Sequence, residues 1–129
     1  MKQSLSRNDR LKSYKRIRLL FASGEKFRVS PLLLYYRIVP EAQQDGSNLK
    51  MGVSVGARHF KRAVDRNLLK RRVREAYRKQ KQPLSELLAS KSVTLDLFWV
   101  YLEPKIVEYA VISDAITKGL DQLITRLSK

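Results

Sequence analysis

Residues 58–81, RHFKRAVDRNLLKRRVREAYRKQK, constrain this chain more than any other stretch. They hold eleven Lys or Arg against two acids, Asp65 and Glu75, so more than half of the chain's net charge of +15 sits in them. No Gly or Pro interrupts the run, and Arg, Lys, Leu, Ala and Glu favour helix, which predicts a helix from about Ala63 to Lys81. At 100° per residue, Leu69, Val73 and Ala76 form a narrow apolar stripe with Tyr77 at its edge. Arg66, Asn67, Lys70, Arg71, Arg74 and Arg78 fill an adjoining arc of roughly 140°, with no acid inside it.

A run of Lys and Arg is by itself most often a solvated face. Solvated faces, however, mix signs, with Glu four residues before Lys. Here Arg66, Lys70 and Arg74 repeat like charge at i, i+4 and i+8, costing about 0.2–0.5 kcal/mol per pair in an isolated helix. A face that repels itself suits a polyanion. Arg outnumbers Lys on it, and a guanidinium grips phosphate with two bonds where an ammonium is a point charge. Nucleic acid is therefore the leading partner on physical grounds.

The chain of 129 residues fits a single domain, 1–129, with a real core, and its 43% hydrophobic content sets it apart from a disordered basic tail. Without cysteine it has no disulfide, thiolate metal site or cysteine nucleophile, and its one histidine, His59, leaves little for a His-based site. No apolar run reaches the ~20 residues of a membrane span and no apolar signal core opens the chain, so a cytoplasmic location and no membrane partner are expected. Charge is uneven: net +7 over residues 1–30 and −1 over 82–129. The last third reads as scaffold and the two basic segments as working surface.

In chain order, residues 1–9 are polar and expected to be loosely held. Tyr14, Ile17, Leu20 and Phe21 recur at helical spacing between a Ser13 N-cap and a Gly24 stop. Residues 29–39 (VSPLLLYYRIV) read as a strand, 41–49 as the loop of a hairpin, and 50–56 as its second strand. That second strand alternates Met51, Val53 and Val55 with Gly52, Ser54 and Gly56, leaving one nearly bare face for a ligand or another backbone. The long helix stops near Pro83, and residues 84–91 read as a helical turn or a loop. Residues 93–102 predict a central strand covered on both faces, and 111–127 a packing helix. The result is an α+β layer fold with helices on a mixed sheet.

Candidates for chemistry are few. Asp65 and Glu75 lie ~15 Å apart along a helix, too far to share a metal. Asp96 falls in the buried-looking strand, Asp114 and Asp121 on the last helix. GVSVG, residues 52–56, has glycines but lacks the Lys-Ser/Thr of a nucleotide loop. No catalytic and no metal-ligating residue is therefore assigned. Single-stranded nucleic acid stacks on rings beside a basic groove, which points to Phe21 and to one of Tyr35 and Tyr36, since alternation sends those two to opposite sheet faces. Core packing accounts for the same rings equally well.

The string GVSVGARHFKRAVDRNLLKRRVREAYR, residues 52–78, resembles the signature of the bacterial ribonuclease P protein component, in which a G-x-S/T-V strand leads into a helix bearing A-x-x-R-N-R-x-K-R-x-x-R-E-x-[FY]. Ala63, Arg66, Asn67, Lys70, Arg71, Arg74, Glu75 and Tyr77 fit in place. Arg10-Leu11-Lys12 and the helix ending in Phe21 and Gly24 look like the family's opening. Two positions depart: Leu68 stands where the motif has its second Arg, with Lys61, Arg62 and Arg72 as possible substitutes, and Ile17 stands where many members have Phe.

The resemblance implies a two-layer α-β-β-β-α-β-α fold with a left-handed crossover around the basic helix, so a third strand hides among the two read above. It implies a protein subunit that binds a catalytic RNA and the single-stranded 5′ leader of precursor tRNA. The RNA carries the Mg²⁺-dependent endonucleolytic hydrolysis and holds most of the Mg²⁺, and no obligate protein partner is expected. Carried onto this chain, Arg58, Lys61, Arg62, Arg66, Asn67, Lys70, Arg71 and Arg74 are the RNA-facing set, and Phe21 and Tyr35 the leader-cleft pair. A non-enzymatic ribosomal or RNA-assembly protein is the alternative that charge and size also fit. A DNA-reading helix-turn-helix lacks its preceding helix, and a membrane-surface helix lacks Trp and Phe beside the basic arc.

Overall fold

The structure, a computed structural model, describes residues 10–39 and 48–128; the expected loose segment 1–9 and most of the loop 41–49 lie outside the described residues. The elements are α1 (Tyr14–Ser23), β1 (Glu25–Val29), β2 (Leu32–Val39), β3 (Leu49–Val55), α2 (Ala63–Gln80), α3 (Gln82–Lys91), β4 (Thr94–Tyr101) and α4 (Tyr109–Leu127). Ser13 caps α1 as its sequence predicts, its hydroxyl accepting from the Arg16 N–H at 3.3 Å.

The third strand is found at Glu25–Val29, cut from β2 by Ser30-Pro31, whose Pro has no N–H to give a ladder. Residues 29–39 are thus not one strand. Nor do β2 and β3 form a hairpin: the order is β1-β2-β4-β3, with β4 inserted between them. The hairpin is β1–β2, β2 and β4 are antiparallel, and β3 and β4 run parallel. A parallel neighbour needs a crossover, and α2 and α3 supply it. The ambiguous stretch 84–91 belongs to a full helix, because Pro83 at its first turn is tolerated there and starts α3 as well as ending α2.

Side-chain alternation sorts the sheet into two faces. Leu32 and Leu34 of β2, Met51 and Val53 of β3, and Leu95, Leu97 and Trp99 of β4 meet Leu69, Val73, Ala76 and Tyr77 of α2 and Ile112, Ile116, Leu120 and Leu123 of α4. This two-layer unit is the main core. On the opposite face a smaller cluster joins Leu11, Leu20 and Phe98, with Ile17, Tyr35 and Val100 at its edge. There α1 adds a partial cover, so β4 is buried on both faces, as its near-continuous apolarity predicts.

Candidate nucleic-acid interface

The apolar stripe of α2 fixes which way its charges point. With Leu69, Val73, Ala76 and Tyr77 buried, Asn67 and Arg71 are exposed and Arg66, Lys70 and Arg74 half-buried beside the sheet edge formed by β3. Among the described residues no ion pair involves Arg66, Lys70, Arg71 or Arg74. The acids on the helix are engaged instead by its own cations: Asp65 lies 3.8 Å from Arg62, and Glu75 takes Arg78 at close range and Lys79 at 4.0 Å. Arg78 thus stands paired with Glu75 within the arc in which its position places it.

Arg66 has a second task. Its Nη1 donates to the carbonyls of Phe60 at 2.6 Å and Lys61 at 2.9 Å, tying the basic turn to the first part of the helix. Arg58, Lys61 and Arg62 stand exposed on that turn and at the helix start. Arg72 cannot substitute for the Arg that Leu68 replaces, because it points the other way and donates to the Val107 carbonyl at 2.7 Å. Leu68 itself is half-buried, one turn from Val64, which is 59% exposed.

The segment before α1 completes the charged surface. Leu11 N–H donates to the Met51 carbonyl at 2.8 Å and Arg10 bridges to Met51, so residues 10 and 11 run along the free edge of β3. This brings Arg10 against α2. A hollow of about 270 Å³ is lined by Arg10, Arg71, Arg74, Glu75 and Arg78. Burial and then the Arg10 guanidinium hold the Arg74 guanidinium below its ordinary pKa.

A second hollow, about 310 Å³, opens next to the first and is shared by Arg10, Lys12, Ile17, Gly52, Arg74 and Phe98. Gly52 and Phe98 of its lining begin a row of facing residues that crosses the sheet: Gly52 opposite Phe98, Phe98 opposite Tyr35, Tyr35 opposite Lys26. The bare face of β3 is not empty, because the Phe98 ring lies on Gly52, where a Cβ would stand 2.6 Å from the ring. Phe21 reaches down from α1 and meets Tyr35 at 4.6 Å and Phe98 at 5.0 Å between centroids, both edge-on. Phe21 and Tyr35 therefore share a surface, while Tyr36 lies on the other face and donates to Glu25 at 3.0 Å.

Phe98 was hidden from sequence reasoning by the uniform apolarity of its strand. Asp96, an acid in an apolar strand, shows no partner in the sequence. It is fully buried, and Arg16 of α1 grips it with Nε at 2.9 Å and with Nη2. Its cross-strand neighbours are Arg37 and Lys50, so one carboxylate lies among three cations in the row next to the aromatic one, on the same face of the sheet. Charge on both α1 and β4 was the available signal, since a buried acid needs a partner. His59 is exposed. Among the described residues no three His, Asp or Glu converge, and no helix is long and apolar enough to cross a membrane.

The model of a family described as Ribonuclease P matches residues 5–127 of the chain. The ribonuclease P protein component of Porphyromonas gingivalis is 34% identical over 116 residues, covering 90% of this chain and 83% of that protein. The Thermotoga maritima RNase P protein superposes with a TM-score of 0.66 at 20% identity, over 88% of this chain and 96% of that one. The Staphylococcus aureus RNase P protein gives 0.65 at 19% identity, over 89% and 94%. Both structural likenesses speak to the fold.

Proposed function

Because the chain belongs to the ribonuclease P protein family, we propose that α2 and the turn before it bind the family's catalytic RNA, and that the hollow between α1 and the sheet holds the single-stranded 5′ leader of precursor tRNA. One observation carries this reading: Lys70, Arg71 and Arg74, joined by Arg10, form a cationic surface with no carboxylate partner among the described residues. Arg58, Lys61, Arg62, Arg66 and Asn67 extend it toward the start of the helix. Phe21 and Tyr35 offer ring surface beside it, with the buried Phe98 packed beneath them. Family membership is what separates this function from a ribosomal or assembly role, which charge alone fits as well.

In this reading the protein binds and orients, and the RNA cuts the phosphodiester. Mg²⁺ would be held mainly by the RNA and would supply there the charge needed to activate water and steady the leaving oxygen. Of the protein's carboxylates nearest the basic surface, Asp65, Glu75 and Asp96 each already neutralise an Arg of the same chain. The protein's contribution is to lower repulsion between leader and catalytic RNA, which makes it most valuable when Mg²⁺ is scarce.

The test is titration of the catalytic RNA with Lys70→Gln/Arg71→Gln/Arg74→Gln protein over a range of salt. Each lost phosphate contact removes about 0.7–0.9 from the log–log slope, so a decrease of about 2–2.7 is expected. An unchanged slope refutes the assignment. Cleavage of precursor tRNA at low Mg²⁺, restored by the wild-type protein, is the accompanying functional readout.

A further inference from the structure

We infer that the single strand bound in the hollow crosses the whole sheet at right angles to its strands, and that Lys26 and Arg28 on the outer strand β1 form a second phosphate site at its far end. This inference rests on the leader-binding reading above.

The register supplies the track. Gly52, Phe98, Tyr35 and Lys26 are consecutive partners across β3, β4, β2 and β1, and Ser54, Val100, Leu33 and Arg28 form the next row on the same face. Alternation sends Phe27 and Val29 into the main core, which leaves the side chains of Lys26 and Arg28 on the face that carries Phe21 and Tyr35. Both are exposed. At the near end of the rows, beside β3, stand Arg10, Lys12 and Arg74. Three inter-strand gaps separate the two ends, roughly 14 Å. The middle of the track has no charge of its own: it consists of ring surface and the half-buried Leu33 and Val100, suited to bases and not to phosphates.

The far cations are held ready. The Lys26 ammonium sits 5.7 Å from the centroid of the Tyr35 ring, and the Arg28 Nε donates to the Ser30 hydroxyl at 3.0 Å. Among the described residues neither pairs with a carboxylate, and the acid beside them, Glu25, is turned to the other face, where it accepts from Tyr36. Cations at both ends of a neutral aromatic floor match a polyanion whose bases stack between its first and last bound phosphates.

The experiment measures the affinity of holoenzyme, assembled from wild-type or Lys26→Gln/Arg28→Gln protein, for precursor tRNAs whose leaders are lengthened one nucleotide at a time. The variant is expected to match wild type for short leaders and to fall behind once the leader is long enough to reach β1. There its log–log salt slope should drop by about 1.4, two contacts at the single-strand value of about 0.7 each. Equal affinity and slope at every length overturns the inference, as does an equal deficit from Lys105→Gln/Lys118→Gln, which removes the same charge away from the track. If wild-type affinity gains nothing from a leader of any length, the leader-binding reading itself fails, and this inference with it.

Discussion

Replacing Asp96 with Asn tests what holds α1, and with it one wall of the hollow, against the sheet. The helix brings one fully buried side chain, Leu20, the partly buried Ile17 and the exposed Phe21, whose ring meets Tyr35 and Phe98 edge-on. Burial of a leucine stabilises by about 1.5–3 kcal/mol. The Arg16–Asp96 pair is of comparable weight: breaking a fully buried pair costs about 3–5 kcal/mol. Arg16 keeps 21% of its side chain exposed and can turn toward water, so a loss of about 2–3 kcal/mol is the better figure. That corresponds to roughly 30- to 150-fold easier detachment of α1. Amide hydrogen exchange reads it directly, at the Ile17 N–H bonded to Ser13 and the Gly24 N–H bonded to Leu20. Exchange at Leu69 and Val73 in α2 should change far less. A second variant, Arg16→Met/Lys50→Met/Asp96→Leu, removes the buried carboxylate together with Arg16 and the buried Lys50 and should restore protection, because an apolar replacement of buried, paired charges is often neutral or better. Less than a threefold change at Ile17 and Gly24 in Asp96→Asn refutes the idea that the pair anchors α1.

Gly52→Ala places a methyl 2.6 Å from the Phe98 ring and must displace it. The displaced ring shifts Phe21 and Tyr35, which pack on and beside it; since stacking is worth about 1–3 kcal/mol per base, leader-bearing precursor should bind about 5- to 150-fold more weakly while mature tRNA is held as before, and equal losses for the two would argue against ring surface that touches the leader. Tyr101 donates its hydroxyl to the Lys105 carbonyl at 2.6 Å and accepts from the Val107 N–H at 3.1 Å, and burial is the main cause of its raised pKa. A raised folded pKa means that stability from the neutral phenol is complete below the unfolded value of about 10 and is lost as pH climbs toward the folded one. Urea midpoints of wild type and Tyr101→Phe should therefore converge from pH 9 to 11, and a constant gap would contradict the assignment.

The long basic helix was legible from its residues because its signal is local: uninterrupted helix formers, one apolar stripe and a run of like charge fix both the element and the face it presents. Ala63–Gln80 differs from the expected span by one residue. The α+β class, the central place of β4 and the opposite facing of Tyr35 and Tyr36 followed from period and length in the same way. The family signature in residues 52–78 was equally local. What the sequence left open were matters of pairing. A strand shows which of its faces is apolar but not which strand lies beside it, so only the fold placed β4 between β2 and β3 and turned an expected hairpin into a parallel crossover. Contacts between residues far apart in the chain were hidden for the same reason. Arg16 with Asp96, Arg10 with Arg74, and the row from Gly52 to Lys26 join residues whose separations carry no periodic trace, and they exist because packing two apolar faces of one sheet leaves each partner no other place to be.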